Sequence, residues 1–211
     1  MSRIKRDDIT HFIDEDIYLP TRTLYMGSTG DNDGLENGVN YSMAERMIKG
    51  LHILDSSATE QPITIIMNNL GGDFVHGMAI YDAIKICRNH ITIKVFGHAM
   101  SMGAIILQAA DDRLMSSNST MMLHYGNTDL SDHVKNVERW VEWDKKMSAN
   151  NEQLFLAKIK EAKPRFTLEQ VKRLLEFDRL LSAKEALDLG LIDGIILETG
   201  EIERRVVAQE G

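Results

Sequence analysis

Apolar and polar positions along this chain change period repeatedly, and the changes mark a succession of short strands and helices. Leu24-Tyr25-Met26 opens the first apolar strand pattern, and residues 27–40, rich in Gly, Asn and Asp, read as a loop. Ser42 and Glu45 have capping-box spacing ahead of a helix whose apolar stripe is Met43, Met47, Ile48 and Leu51. Ile63-Thr64-Ile65-Ile66-Met67 is rich in β-formers without strict alternation, as in a strand covered on both faces. A helix from about Val75 to Arg88, a strand from Ile91 to Phe96 and a helix from Ser101 to Ala110 follow, with another strand at Ser119–Leu123. This strand–helix rhythm with short Gly-containing turns predicts an α/β domain with a largely parallel sheet. Right-handed crossovers then bring the Gly-rich turns to the carboxyl edge of that sheet, where sites form.

The second half has a different rhythm. From about Ser131 to Lys160, the residues Val134, Val137, Val141, Met147, Leu154 and Phe155 recur at broadly helical spacing with charges between them, and Pro164 ends the run. A helix this long exceeds what a domain of this size covers, so part of its apolar face is expected to be free for another subunit. Trp140 and Trp143 on it read equally well as anchors for a partner or as intrachain packing. Thr167 with Gln170, and Ser182 with Glu185, are two further capping boxes; Gly190 stops the last helix before a closing strand at Leu191–Leu197.

Composition narrows the class. At 211 residues and 43% apolar, the chain is sized for one domain with a sizeable core. Its net charge of −8 disfavours nucleic acid as a partner, because phosphate binding needs clustered Lys and Arg. The one cysteine, Cys87, falls in a helical pattern and reads as a small buried hydrophobe, which leaves no intramolecular disulfide and points to a reducing compartment. No apolar run reaches membrane-span length, and the polar first residues lack a signal-peptide pattern, so a cytoplasmic location is expected, with no membrane contact. No Cys/His cluster has metal-ligand spacing, residues 31–37 lack the calcium-loop pattern, and no phosphate-binding P-loop is present, so no cofactor is expected.

Three segments carry chemistry. Asn68-Asn69-Leu70-Gly71-Gly72-Asp73 closes one strand, Gly97-His98-Ala99-Met100-Ser101-Met102-Gly103 follows the next, and His124 ends the strand at 119–123. A serine hydroxyl becomes a useful nucleophile only when a base takes its proton and aimed N–H groups hold the oxyanion that forms. Ser101 opens a helix, where N–H groups are unpaired. The N–H of Met102 and an N–H of the Gly71-Gly72 turn are the natural oxyanion donors, His124 is the best placed base, and Asp178 is a candidate to orient it. Alone, each has a plainer reading, as an N-cap, a turn or a structural histidine; together and in order they describe a serine hydrolase.

Four motifs then carry a resemblance. Asn69-Leu70-Gly71-Gly72, Gly77-Met78-Ala79-Ile80-Tyr81-Asp82, Ala99-Met100-Ser101-Met102-Gly103-Ala104 and Leu181-Ser182-Ala183-Lys184-Glu185-Ala186 resemble the ClpP family, the proteolytic subunits of the caseinolytic ATP-dependent protease. The resemblance covers roughly residues 60–126 and 174–197. It implies a ClpP/crotonase-like β/α spiral with a projecting handle helix, and a serine endopeptidase acting through an acyl-enzyme. Ser101 is then the nucleophile, His124 the general base and Asp178 the third triad member, with the N–H groups of Gly72 and Met102 as the oxyanion hole. It further implies a homo-oligomer of stacked heptameric rings, peptide or unfolded protein as substrate, and an AAA+ unfoldase as candidate partner. On this reading residues 1–20 are an N-terminal arm, 21–200 the peptidase domain with its handle at about 127–165, and 201–211 a tail.

The departures mark a divergent member, with a phage or prophage origin as one reading. Leu70 and Asp73 flank the Gly-Gly pair in place of Pro and Ser, and Tyr125-Gly126 follows His124 in place of Gln-Pro. Asn127-Thr128-Asp129-Leu130 replaces the Gly-rich handle segment, Phe177 replaces the usual Arg, and Thr64 and Ile66 stand where aromatics usually build the unfoldase pocket. Two alternatives remain at this stage: an inactive ring subunit of the same family, and a crotonase-type enzyme acting on acyl-CoA thioesters.

Overall fold

The structure, a computed structural model, describes residues 5–27, 29–30, 36–57, 60–127 and 131–205. In chain order its elements are α1 (Arg6–Glu15), β1 (Ile17–Tyr18), β2 (Thr23–Gly27), β3 (Thr29–Gly30), β4 (Glu36–Asn37), α2 (Tyr41–Ser56), β5 (Ile63–Asn69), α3 (Phe74–Ile86), β6 (Ile91–Met100), α4 (Met102–Leu107), β7 (Asp112–Ser116), β8 (Thr120–Leu123), α5 (Val134–Ala162), α6 (Leu168–Leu175), β9 (Arg179–Ser182), α7 (Ala183–Leu189), β10 (Gly194–Ile196) and β11 (Ile202–Arg204). The fold is the expected α/β one. The main sheet runs β1-β2-β5-β6-β7-β10-β11, parallel from β2 to β10 and antiparallel at both edges. The predicted arm holds α1 and β1, and β11 falls in the predicted tail, whose residues 206–211 lie outside the described residues.

Strand β6 builds the site by changing partners midway. Thr92–Val95 pair with β7, whereas His98–Met100 pair with β8, which starts a second short ladder continued by β9. The corner falls at Gly97, whose φ of +92° suits a residue without a Cβ; a Cβ there would lie 2.5 Å from the Asn68 side-chain oxygen. That oxygen accepts the His98 N–H at 3.0 Å, and the Ser119 hydroxyl accepts the Gly97 N–H at 3.1 Å. The bend is therefore hydrogen-bonded from β5 on one side and from the residue before β8 on the other.

Burial shows why these residues form these elements. In β5 the alternate residues Ile63, Ile65, Met67 and Asn69 are fully buried while their neighbours are half-buried, so the strand alternates after all, between degrees of burial rather than between apolar and polar. The predicted Ser42–Glu45 capping box does not form. Asn40 caps α2, its side chain accepting from the Met43 N–H at 2.9 Å, and Glu45 pairs with Tyr41 and Lys49 instead. The face of α2 is buried through Met43, Ala44, Met47, Leu51 and Leu54, with Ile48 at its margin. The boxes at Thr167–Gln170 and Ser182–Glu185 are both present, and Gly190 ends α7 in the left-handed conformation.

Helix α5 has two different halves. Its buried residues, Glu152, Phe155 and Ile159, all lie near the C-terminal end, which packs on α6 and α7. Its outer half exposes Val134, Trp140, Val141 and Trp143, the two tryptophans by about half (53% and 50%). The sequence leaves these two open between partner anchors and intrachain packing; within this chain half of each stays exposed, with Lys146 over the Trp143 ring at 5.4 Å. Among the described residues no helix is long and apolar enough to cross a membrane.

Candidate active site

The carboxyl ends of β5, β6 and β8 converge on one point. Ser101 joins β6 to α4 with φ 50° and ψ −118°, a conformation that a residue with a side chain adopts only under constraint. The constraint comes from both neighbours. Its N–H donates to Met122 of β8 at 2.8 Å, and its carbonyl accepts from Ala104 and Ile105 of α4. The hydroxyl makes no helix-capping bond. It lies 2.7 Å from Nε2 of His124.

His124 follows the last residue of β8. Its Nδ1 is 2.9 Å from Oδ1 of Asp178, which lies between the end of α6 and the start of β9. Antiparallel pairing of Leu123 with Arg179 brings the two segments side by side. A carboxylate at Nδ1 keeps the proton there, which leaves Nε2 free to accept from the serine hydroxyl. The imidazole is mostly covered, its side chain 19% exposed, whereas the Asp178 carboxylate is 74% exposed within this chain.

The Gly-Gly turn faces Ser101 from β5. Gly71 and Gly72 both have positive φ, +100° and +138°. A Cβ on Gly71 would fall 2.6 Å from Cβ of Ser101, so the backbones meet at a separation that only glycine allows. Buried Asn69 accepts the Gly71 N–H through its side chain at 2.9 Å. From the other side Val39 clips the turn, donating to the Gly71 carbonyl at 2.6 Å and accepting from the Asp73 N–H at 2.8 Å. Among the described residues, the N–H groups of Gly72 and of Met102, the first residue of α4, have no hydrogen-bond partner.

All five residues singled out in the sequence, Ser101, His124, Asp178, Gly72 and Met102, thus belong to one small region. Sequence reading missed the parts that hold them. Val39 and Gly38 passed for loop, although a Cβ on Gly38 would sit 2.1 Å from the Gly71 carbonyl oxygen. Tyr125 reads in the sequence only as a departure from the family pattern; its N–H donates to Leu175 and its hydroxyl to Glu152. His98 hydrogen-bonds through Nδ1 to Asn68 at the β6 corner. Cys87 caps the end of α3, half-buried, and burial followed by the Asp55 carboxylate it bonds pushes its thiol up to about 11. It stays protonated, as a structural cysteine does. Among the described residues no group of three or more His, Cys, Asp or Glu is arranged to hold a metal.

Comparison with known proteins adds an independent line. The model of the Clp protease family matches residues 34–199. The chain is 32% identical over 165 residues to the ATP-dependent Clp protease proteolytic subunit of Deinococcus radiodurans, covering 77% of this chain and 78% of that one. It is 32% identical over 163 residues to the chloroplastic ATP-dependent Clp protease proteolytic subunit 6 of Arabidopsis thaliana, covering 75% of this chain and 57% of that one. A third relative, ATP-dependent Clp protease proteolytic subunit 3 of Rhodococcus jostii, is 26% identical over 82% of this chain and 85% of its own length. A match that spans every element from the Val39 clip to β10, at this modest identity, makes the chain a divergent member of the Clp protease family.

Proposed function

We propose that this protein is a serine endopeptidase working through an acyl-enzyme, with Ser101 as nucleophile, His124 as general base and acid, and Asp178 as the carboxylate that orients the imidazole. The observation that carries the reading is the hydrogen-bonded series Ser101–His124–Asp178, at 2.7 and 2.9 Å. As Ser101 Oγ attacks a peptide carbonyl carbon, its proton passes to His124 Nε2, and Asp178 stabilises the imidazolium that forms. The oxyanion lies within reach of the unpaired N–H groups of Gly72 and Met102. Collapse breaks the C–N bond, with His124 returning the proton to the leaving amine. Water activated by His124 then attacks the ester and releases the acid.

The same reading includes assembly. The exposed outer half of α5, with Trp140 and Trp143, and the uncovered Asp178 support a homo-oligomeric ring subunit whose neighbours cover these surfaces. Heptameric, stacked rings and an AAA+ unfoldase that supplies the ATP-driven step complete the proposal. Intact-mass labelling with a fluorophosphonate tests the chemistry. One adduct per subunit that disappears in Ser101→Ala is the expected result; a folded oligomer that takes no adduct overturns it in favour of an inactive ring subunit.

A further inference from the structure

Helix α5 carries a buried carboxylate that its packing does not call for. Glu152 is 9% exposed, and the residues three and seven positions later on the same face are the apolar Phe155 and Ile159. A carboxylate in such a place is costly unless it is hydrogen-bonded. Its partner is the residue beside His124. The Tyr125 hydroxyl donates to Glu152 Oε1 at 2.8 Å, while Lys172 of α6 stands 4.0 Å from Oε2. Burial, and then the bond to Glu152, push the Tyr125 hydroxyl up to about 12, so it remains a donor at any working pH.

Tyr125 also joins the two arms of the site. Its backbone N–H donates to the carbonyl of Leu175, the last residue of α6, at 3.0 Å, and Asp178 lies three residues further on. Strand β8 has ended at Leu123, and residues 124–127 have no regular structure. Ladder hydrogen bonds therefore do not hold the backbone that carries the imidazole. Proton transfer over 2.7 Å tolerates little misplacement.

We propose that Tyr125 and Glu152 are positioning residues, forming a strap from the root of α5 that fixes where the His124 imidazole stands between Ser101 and Asp178. The inference rests on the catalytic roles proposed above for those three. A charge-assisted hydrogen bond of this kind restricts both the Tyr125 ring and the backbone one residue away. It also makes the root of α5 part of the site, since any shift of the helix at Glu152 reaches His124 through one ring.

Tyr125→Phe removes only the hydroxyl and is the variant to test. Two readouts are taken on the full-length protein, the rate of fluorophosphonate labelling and the ring signals of His124 by NMR, assigned with His124→Gln. Labelling is expected to slow about tenfold with the melting temperature within a few degrees of wild type, and the His124 ring signals to shift or broaden. Glu152→Gln keeps the acceptor oxygen and is expected to retain most of the rate. An unlabelled wild type whose His124 signals still move in Tyr125→Phe sinks the proposed chemistry and leaves the strap standing. Unchanged His124 ring signals in Tyr125→Phe, whatever the labelling, overturn the strap.

Discussion

Gly71 and Ser101 are packed so closely that a Cβ on the glycine would lie 2.6 Å from Cβ of the serine, 2.9 Å from the Met100 carbonyl oxygen and 3.1 Å from the Met102 nitrogen. This contact sets the spacing between the Gly71-Gly72 turn and the turn that carries Ser101. Gly71→Ala also needs a side chain at φ +100°. The strain alone costs about 1–3 kcal/mol, and the clash is with the Ser101 Cβ and the backbone on either side of it, none of which can turn aside. The variant is expected to lose fluorophosphonate labelling altogether and to melt several degrees lower, as differential scanning calorimetry reads.

In the proposed mechanism Asp178 supplies orientation and charge through its 2.9 Å bond to His124. Asp178→Asn keeps the shape but favours the wrong imidazole tautomer. Peptide hydrolysis is expected to fall by about 10²-fold or more, mostly in kcat, with a residual rate from the oxyanion donors. Steady-state kinetics on a fluorogenic peptide decide this, and a change confined to KM speaks against the assignment.

Arg113 is buried on β7 and ties the end of α4 to the turn before β10, with bonds to Gln108 at 2.8 Å and to Asp193 at 2.6 and 2.9 Å. Arg113→Ala leaves the partly exposed Asp193 carboxylate with only the backbone N–H of residue 113 and removes the guanidinium donor to Gln108. Removing one partner of a partly buried pair of this kind costs about 1–3 kcal/mol, which chemical denaturation measures directly. Labelling of the folded fraction is expected to stay near wild type, because none of these groups touches the Ser101 region.

Acid is expected to weaken the fold through two carboxylates. Burial pushes Asp193 up, but its bonds to Arg113 outweigh this and hold it below the ordinary value of 3.8. Asp55 is likewise held well down: partial burial opposes, and bonds from the Cys87 thiol, the Asn89 amide and Arg88 prevail. Each group binds its proton more readily unfolded than folded. Their stabilisation is therefore fully present above about pH 5 and declines as pH falls below about 4. Melting temperature against pH checks the sign, and Asp55→Asn flattens the acid limb.

In the proposed assembly the half-exposed Trp140 and Trp143 anchor the interface between subunits. Replacing both with serine is expected to weaken self-association by about 30-fold or more while leaving the monomer folded. Sedimentation velocity across a concentration series reads the effect. A wild type that is monomeric at micromolar concentration contradicts the assembly reading outright.

Signals that act within one helical turn were legible in the chain. The capping boxes at Thr167–Gln170 and Ser182–Glu185 and the Gly190 stop formed where expected, because their partners lie three to five residues apart. Local reading goes astray where two caps compete: Asn40 begins α2 in place of Ser42, directly after Val39, whose N–H is bonded to the Gly71 carbonyl. Helix α4 is shorter than its apolar run, Met102–Leu107 against Ser101–Ala110, because that run continues into the turn that leads to β7.

The α/β rhythm, the Gly-Gly turn after one strand, the serine after the next and the histidine after a third are all legible in the chain alone. Those follow from periodicity, from glycine's freedom at positive φ and from motif spacing. Which groups face one another comes from the assembled fold. Pairing of β8 with β9 brings Asp178 to His124 across 54 residues, and β6 changes partner at Gly97 to let β8 in. Val39 closes on Gly71, Glu152 meets Tyr125, and Arg113 reaches Asp193 across 80 residues. The physical reason is that a hydrogen bond between distant segments leaves no period in either of them. Its two ends become neighbours only when the whole sheet has chosen its register.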